Sequence, residues 1–198
     1  RFSGVTGVQT CALPIYPDGV ILVPTTLELT RQFTEELHDR NIPFILLDSF
    51  MPSLQPLSFY GQDSIQSGHF AAKMLMLIAQ REKSIMLMKQ TKDGKMASRQ
   101  QANREVGFRN YMQENYPDIK ILEVNLPLDE ERKRYDHILE KFFSEHPEVH
   151  HCITFNSKAH IVGKFLLKTR RKNVQIMGYD VVHKNADCLR DGSISFLI

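Results

Sequence analysis

The sequence predicts an α/β fold in which mostly parallel strands carry helices on both faces. Short apolar runs, each of the length of a buried strand, alternate with segments whose apolar residues recur at helical spacing. Gly, Pro, Asn and Asp separate the two kinds of segment. Strands and helices that alternate in this way form βαβ units, whose right-handed crossovers bring the carboxyl ends of the strands to one edge. We therefore expect a ligand site at that edge.

The first part of the chain, 16–62, is predicted to form a βαβ unit followed by one more strand. Leu29, Phe33 and Leu37 lie at the spacing of one helical face, which predicts a helix that ends near Arg40. The apolar runs on either side of this helix have the pattern of strands that are buried on both faces. These strands are predicted at 20–23, 44–47 and 57–60.

The remaining part, 63–198, continues the alternation. Asp63 or Ser64 can cap a helix, and a polar loop separates the fourth strand from a helix whose first turn carries Arg104. An acidic first turn favours the start of the following helix at Asp129, because it complements the helix dipole. The strands are predicted at 85–88, 119–124, 151–155, 174–177 and 194–198, and the helices at about 64–78, 104–115, 129–144, 159–168 and 185–190.

Composition and charge argue against several classes of protein. The 25 Lys and Arg residues and the 23 Asp and Glu residues give a formal net charge of +2, and the two signs are interspersed. A nucleic-acid-binding surface usually has a concentrated basic face, so we expect none in this chain. No apolar run approaches the roughly 20 residues that span a membrane. Cys11, Cys152 and Cys188 show no metal-ligand spacing, and their odd number fits a reducing compartment better than a disulfide framework.

Polar residues follow four of the predicted strands, at the edge where a ligand is expected. Asp48, Asn156 and Asp180 follow the second, sixth and seventh strands, and Arg104 opens the helix after the fourth. Carboxylates accept hydrogen bonds from vicinal hydroxyl groups, a guanidinium group donates two parallel bonds, and an amide can donate and accept. This set of side chains suits a polyhydroxylated ligand.

The same stretches resemble the LacI/GalR family of transcriptional regulators and the related periplasmic sugar-binding proteins, over essentially the whole of 16–198. The resemblance lies in the order and separation of five short motifs. They are PDGVIL at 17–22, IPF at 42–44 with LD at 47–48, Arg104 with Gly107-Phe108, FNS at 155–157 followed by Ala159 and Gly163, and GYD at 178–180. The resemblance implies a two-lobed, type I periplasmic-binding-protein-like fold that closes on a small molecule, usually a sugar.

The resemblance also implies which residues contact the ligand. Asp48 would contact it from the first lobe, and Arg104, Asn156 and Asp180 would contact it from the second. Ser98, in the loop before Arg104, is a further candidate.

Two departures from the family pattern affect the identity of the ligand. The turn after the sixth strand commonly reads Asn-Asp, but here Ser157 follows the Asn, which removes one charged acceptor and leaves Ser157 as a further candidate contact. An aromatic residue often stacks on the ligand after the fifth strand, where this chain has Leu126. Phe50 and Phe59 are possible substitutes.

The resemblance also divides the chain into lobes. The crossover falls near 61–64, so 16–62 would be part of the first lobe and 63–192 the second lobe. Residues 193–198 would begin a return towards the first lobe. We therefore expect a first lobe that is incomplete and a chain that is truncated at both ends.

We expect the chain to be the effector-sensing domain of a cytoplasmic LacI-type regulator. In the full-length protein it would form a homodimer and bind DNA only through a helix-turn-helix module that this chain lacks. The alternative is an extracytoplasmic, periplasmic sugar-binding protein of a transporter or sensor receptor. The motif at 104–108 and the cysteine-containing composition favour the regulator.

Other chemistries have less support in the sequence. An enzyme on the same scaffold would need a nucleophile with its base, or a metal set, and we find neither. The side chains of His146, His150, His151 and His160 straddle a predicted loop and strand and should diverge, which argues against a zinc site. The phosphate-binding patterns GxxxxGK[ST] and GxGxxG are absent. We therefore predict no catalytic residue, no metal and no cofactor.

The start of the chain is set aside. The eleven residues VTGVQTCALPI at 5–15 resemble a conceptual translation of a sequencing adaptor. We therefore treat 1–15 as non-native and exclude it, together with Cys11, from the prediction of the fold.

Overall fold

The computed structural model describes residues 17–24, 27–79, 81–92, 95–96, 98–128 and 132–198. The segment 1–15 and the predicted helix start at 129–131 lie outside these residues. The chain divides after Gln62 into two compact units, the second of which is Asp63–Ile198. Among the described residues, no helix has both the length and the apolar character to cross a membrane.

The first unit contains a three-stranded parallel sheet in the order β1-β2-β3. Its elements are β1 (Val20–Leu22), α1 (Leu27–Asp39), β2 (Phe44–Leu47), a 3₁₀ turn (Pro52–Leu54) and β3 (Ser58–Tyr60). Phe33 and Leu37 of α1 are buried with Phe44 and Leu46 of β2, which forms the core of this unit.

Only one face of the first sheet is buried in the described residues. Ile21, Leu47 and Tyr60 are exposed, whereas Phe44 and Leu46 are buried. Side chains alternate between the two faces of a strand, and α1 covers the face that carries Phe44 and Leu46. The prediction that these strands are buried on both faces is therefore wrong for the described part of this unit.

The second unit is a six-stranded sheet flanked by helices. Its main order is β6-β4-β7-β8-β9, and all of these strands are parallel. The elements are α2 (Ser64–Met76), β4 (Ser84–Lys92), β5 (Lys95–Met96), α3 (Arg99–Asn115), β6 (Lys120–Pro127), α4 (Arg132–Glu145), β7 (His151–Thr154), α5 (Ala159–Thr169), β8 (Gln175–Gly178), α6 (His183–Arg190) and β9 (Phe196–Leu197). The predicted α/β fold with parallel strands and flanking helices is confirmed.

Strand β4 separates two cores. Met86 and Met88 point to the side of α4, α5 and α6, and Ile85 and Leu87 point to the side of α2 and α3. This alternation has the period of two that a strand with both faces buried requires. The second sheet therefore has helices on both faces, as the sequence predicts.

Strand β4 is longer than predicted and continues into a hairpin with β5. β6 pairs with β4 along its whole length, whereas β7 pairs only with Met86 to Met88. The antiparallel β5 pairs with Thr91 and Lys92, on the edge of β4 beyond the end of β7. The predicted polar loop thus begins with a short strand that occupies an otherwise open edge.

Helix α3 begins five residues before the predicted position. Ser98 has an extended backbone, and its hydroxyl group accepts a hydrogen bond from the N–H of Gln101 at 3.2 Å, so the helix begins at Arg99. Arg104 therefore lies in the second turn rather than at the mouth of the helix. The prediction that Arg104 opens this helix is wrong.

The segment 193–198 contributes to the second sheet. Phe196 and Leu197 form β9, which pairs in parallel with Met177 and Gly178 of β8. The backbone N–H of Asp180 also donates to the carbonyl of Ile198 at 2.9 Å. These residues belong to the second unit, and the return of the chain towards the first lobe stays a prediction.

Candidate functional site

Arg104 contacts the residues that directly precede two other predicted ligand residues, at the carboxyl edge of the second sheet. The guanidinium group of Arg104 lies against Tyr179, which precedes Asp180 in the chain, and it is bonded to the carbonyl of Phe155, which precedes Asn156. The strand ends thus bring two loops to one arginine. Asp48 belongs to the first unit.

Arg104 is almost completely buried, at 5% exposure. Its Nη1 donates to the carbonyl oxygen of Phe155 at 2.9 Å, and its Cζ lies 4.0 Å from the centre of the Tyr179 ring. A guanidinium group over an aromatic face gains a cation–π attraction, which is stronger where water is excluded. The cation is therefore held by the ends of β7 and β8 at once.

The ring of Tyr179 packs against the guanidinium group of Arg104 and is itself held by α2. It is 1% exposed, and its hydroxyl group donates to the carbonyl of Ser67 in α2 at 2.9 Å while Ser67 Oγ lies at the same distance. Burial raises the pKa of Tyr179, against the opposing effects of the Ser67 hydrogen bond and the positive charge of Arg104. The ring is a neutral, fixed platform for the guanidinium group.

Two glycines allow α2 and α3 to cross closely beside Arg104. A Cβ atom on Gly68 would lie 1.8 Å from the carbonyl oxygen of Arg104, and one on Gly107 would lie 1.9 Å from the carbonyl oxygen of Ile65. Neither position can carry a side chain at this separation. The crossing fixes the backbone of Arg104 against α2.

Asn156 is oriented by three hydrogen bonds. Its Oδ1 accepts from the hydroxyl group of Thr154 at 3.2 Å and from the N–H of Lys158 at 2.8 Å. Its Nδ2 donates to Oε1 of Gln101 at 2.8 Å. The bond to Lys158 closes a turn before α5, whose N-cap residue is Lys158. Because both lone pairs of Oδ1 are occupied, Asn156 can offer a ligand only its second Nδ2 hydrogen.

Gln101 is a member of this site that the sequence pattern does not indicate. It lies one helical turn before Arg104, is 6% exposed, and bonds to Asn156 across the site. The spacing of three residues from Arg104 was available in the sequence. A helix that is predicted to begin at Arg104 leaves Gln101 outside it, and a residue outside the helix cannot be assigned to the helical face of Arg104.

Asp180 follows β8 in a left-handed backbone conformation, with φ at 66°. Asp is one of the few residue types other than Gly that adopts this region readily. Its carboxylate is exposed at the edge of the sheet. Asp180 is therefore placed where a ligand hydroxyl group could donate to it.

Asn185 holds the Tyr179–Asp180 turn in place and was also missed. Its Nδ2 donates to the carbonyl oxygens of Tyr179 at 3.0 Å and Asp180 at 2.9 Å. Its Oδ1 accepts from the backbone N–H of His160 at 3.0 Å and lies 3.0 Å from Nδ1 of the same residue. Asn185 is fully buried and thus connects the ends of α5, α6 and β8.

The pKa of His160 is lowered. Burial is the main cause, the bond to Asn185 opposes it, and the charges of Lys158, Lys184 and Lys164 lower it further. In the neutral imidazole with its proton on Nδ1, that N–H donates to Oδ1 of Asn185, which then accepts two hydrogen bonds. The ring is thus predicted to be neutral at pH 7.

In the first unit, Asp48 follows β2 in a left-handed conformation, with φ at 69°, as Asp180 does after β8. The backbone N–H of Asp48 donates to the carbonyl of Tyr60 at 2.9 Å. Phe50 and Phe59 are in contact, with ring centres 5.0 Å apart, and Phe50 is half exposed. These two rings form an aromatic surface in the same unit as Asp48.

The remaining candidates have simpler surroundings. Ser98 is exposed and caps α3, and Ser157 is half-buried in the turn after Asn156. Leu126 is fully buried in the core beside α4, so the side chain at this position does not face a ligand at the sheet edge.

The histidines near β7 approach acidic side chains and form no metal cluster with them in the described residues. His150 and His151 approach Glu82 at 3.4 and 3.1 Å, and His146 approaches Glu148 at 3.6 Å. No cluster of three metal-binding side chains occurs in the part of the chain that the structure describes. Burial raises the pKa of the Cys152 thiol, which keeps it protonated and unreactive.

The family follows from a comparison with known proteins. The model of the periplasmic binding protein domain matches residues 11–198. The chain belongs to the periplasmic binding protein domain family. This confirms the periplasmic-binding-protein-like fold that the motifs imply. No curated protein matches this chain.

Solved members of this fold include regulators and transport proteins. A protein described as a LacI transcriptional regulator from Bacteroides fragilis has 43% identity and a TM-score of 0.87, and the match covers 97% of this chain and 66% of that one. A sugar-binding protein of a sugar ABC transporter from Bacillus halodurans has 18% identity and a TM-score of 0.82, with 95% and 63% covered. A carbohydrate transporter solute binding protein from Agrobacterium radiobacter, in complex with D-arabinose, has 21% identity and a TM-score of 0.76, with 95% and 64% covered.

The chain therefore spans slightly less than two thirds of each of these proteins. At 18% and 21% identity, the two transport proteins show a shared fold and no more. These similar proteins are binding proteins and a regulator, not enzymes.

Proposed function

We propose that this member of the periplasmic binding protein domain family is the effector-sensing domain of a LacI-type transcriptional regulator, and that its effector is a small polyhydroxylated molecule, most simply a sugar. The observation that carries the proposal is the 43% identity to a protein described as a LacI transcriptional regulator, over 97% of this chain. The two transport proteins named above have less than half that identity.

The chemistry of the site supports a sugar. Arg104 and Asn156 are donors held at fixed positions. The carboxylate of Asp180 is an exposed acceptor, and Asp180 directly follows Tyr179, which Arg104 contacts. A sugar hydroxyl group both donates and accepts, so it can satisfy donors and acceptors together. Asp48, Ser98 and Ser157 remain predicted contacts, each on a loop that follows a strand.

The decisive residue for ligand binding is Arg104. Calorimetric titration of sugars into the full-length protein tests it, with Arg104→Ala and Arg104→Lys as the variants. Lys keeps the positive charge but loses the planar fork that stacks on Tyr179. We expect both variants to bind at least about tenfold more weakly, since a hydrogen bond from a charged group is worth about 1.5–3 kcal/mol.

The matched control is Arg99→Ala, an exposed arginine in the first turn of the same helix. It should leave the affinity unchanged. Circular dichroism of each variant checks that the fold is retained. A folded Arg104→Ala protein with wild-type affinity would contradict the assignment of the site.

A sugar-binding protein of a transporter is the second candidate, and the fold shared with such proteins is the observation that favours it. The two functions differ in what the ligand controls. A regulator acts as a homodimer that binds DNA. A DNA fragment from the region upstream of its own gene should therefore bind the full-length protein, and the sugar should change the affinity of that binding. A ligand shifts such an equilibrium only by its different affinity for the two states. Sugar binding without any DNA binding would favour the transporter.

A further inference from the structure

We infer that Gln101 is a direct ligand contact of this site and that its amide hydrogens select sugars by the hydroxyl group they present at that position. The inference rests on the proposed sugar-binding function. It adds a residue that neither the motifs nor the family resemblance identify.

The first step is that the orientation of the Gln101 amide is determined. Oδ1 of Asn156 already accepts from the Thr154 hydroxyl group and from the N–H of Lys158. The atom of Asn156 that faces Gln101 is therefore a donor, and Gln101 must turn Oε1 towards it, at 2.8 Å. The opposite atom of the amide, Nε2, then points away from Asn156.

The second step concerns what Nε2 can bind. Within the described residues, its contact is Oγ of Ser98 at 3.5 Å, which is longer than the usual 2.7–3.2 Å of an N–H···O hydrogen bond. That hydroxyl oxygen already accepts from the backbone N–H of Gln101. An amide nitrogen carries two hydrogens, so Nε2 keeps donor capacity at a side chain that is only 6% exposed.

The third step is the position of this donor. Gln101 and Arg104 are three residues apart on α3 and thus on the same face of the helix. Asn156 bonds to Gln101, and the residue before it bonds to Arg104. These contacts link the three donor residues Gln101, Arg104 and Asn156 at one end of the sheet, and a ligand that presents several acceptor oxygens suits such a set.

A donor in this setting discriminates between ligands. A site built to bond a hydroxyl group rejects a ligand that lacks it, because the buried donor is then left without an acceptor. A buried amide hydrogen needs such an acceptor more than an exposed one does. Gln101 should thus affect which sugar binds, and not only how strongly sugars bind.

The test compares Gln101→Glu with Gln101→Met in the full-length protein. Glu keeps an oxygen for Asn156 but replaces the donor Nε2 by an acceptor, whereas Met removes both. The probes are D-arabinose, D-glucose, D-galactose and D-tagatose, each titrated by calorimetry. We expect both variants to bind the preferred sugar at least tenfold more weakly, and the Glu variant to change the order of preference among the four sugars.

Two controls separate binding from folding and charge. Circular dichroism and thermal unfolding of both variants check that the fold is retained at the temperature of the titration, because a carboxylate at a position that is 6% exposed carries a desolvation cost. Gln113→Glu places the same charge on an exposed position of the same helix and should leave all four affinities unchanged.

The possible outcomes separate the two claims. Wild-type affinity and preference in Gln101→Glu, with loss in Gln101→Met alone, would overturn the inference by showing that Gln101 only positions Asn156. Binding of none of the four sugars by the wild-type protein would overturn the proposed sugar-binding function, and the inference with it.

Discussion

The guanidinium carbon of Arg104 lies 4.0 Å from the centre of the Tyr179 ring, and the Tyr179 hydroxyl group is bonded to Ser67. The position of the arginine side chain thus depends on α2 through the tyrosine. Helix α2 holds the tyrosine, and the tyrosine holds the arginine that we propose as the ligand contact. A change that removes the Tyr179 ring should affect ligand binding more than a change that removes only the bond from its hydroxyl group to Ser67.

Tyr179→Leu and Tyr179→Phe separate the ring from its hydroxyl group. The Phe variant loses the bonds to Ser67 but keeps the platform under Arg104, so we expect a stability loss of about 1 kcal/mol and an affinity within about threefold of the wild type. The Leu variant loses the platform, so we expect a stability loss of about 2–4 kcal/mol and at least tenfold weaker binding. Urea unfolding and sugar titration measure both quantities. Equal affinities for the two variants would contradict the supporting role of the ring.

Gly68→Ala tests the close crossing of α2 and α3. Alanine favours a helix over glycine by about 1 kcal/mol, so a solvent-facing glycine in a helix would be stabilised by this change. Here the new Cβ would lie 1.8 Å from the carbonyl oxygen of Arg104, and a backbone atom cannot move aside as a side chain can. We expect the clash to prevail and the variant to lose about 1–3 kcal/mol of unfolding free energy, with weaker ligand binding. Gln66→Ala, on the exposed side of the same helix, is the control, and a Gly68→Ala protein as stable as this control would argue against the crossing.

The sequence located the strand ends because apolar runs and turn residues mark them locally. Asp48 and Asp180 were identified in this way, and both prove to have the left-handed backbone of a turn. The start of α3 is not evident from the sequence, because Ala102 is the single apolar residue of 99–103 and no apolar period marks a first turn. Ser98 is the local signal of this helix start, because its hydroxyl group caps the first turn.

The residues that the sequence did not reveal are those with distant partners. Gln101 bonds to a residue 55 positions away, and Asn185 to one 25 positions away. Spacing along a helix or strand shows which residues share a face, but it does not show which faces meet. The hairpin strand β5 was missed for a similar reason, since it depends on where β7 ends along β4.

Asn185→Leu should be among the most destabilising single changes in the second unit. It removes the partner of two carbonyl groups and of two His160 donors, all at a fully buried position. Each buried group left without a partner costs about 1–3 kcal/mol, so we expect a loss of about 3 kcal/mol or more. Urea unfolding is the measurement. Lys184→Ala, at the exposed neighbouring position, should change stability by less than about 0.5 kcal/mol. A small effect at both positions would mean that Asn185 does not hold the turn.

Ser98→Ala and Ser98→Asp distinguish the cap from a ligand contact. The Ala variant loses the bond to the N–H of Gln101 and should lose about 1 kcal/mol of stability. The Asp variant retains a capping oxygen and adds a negative charge that suits the helix N-terminus, so it should be as stable as the wild type. Thermal unfolding measures the cap. If Ser98 also contacts the ligand, as predicted, sugar titration should show weaker binding in both variants, including the stable one.

The stability of the protein should fall as the pH drops below about 6.5, in part through His160. Its folded pKa is lowered from the ordinary value of 6.5, mainly by burial. Between these two pKa values the unfolded chain binds more protons than the folded one, so protonation favours unfolding, and above pH 6.5 the effect vanishes. The measurement is the urea midpoint of the wild type and of His160→Asn, which keeps a donor for Asn185, from pH 8 to pH 5. Other titrating groups cancel in the difference between the two proteins.

We expect that difference to be constant above about pH 7 and to shift against the wild type at lower pH. His137→Asn, at an exposed histidine of α4, serves as the control. A constant difference between wild type and His160→Asn down to pH 5 would contradict the prediction, because it would mean that His160 binds its proton equally well in the folded and unfolded chains.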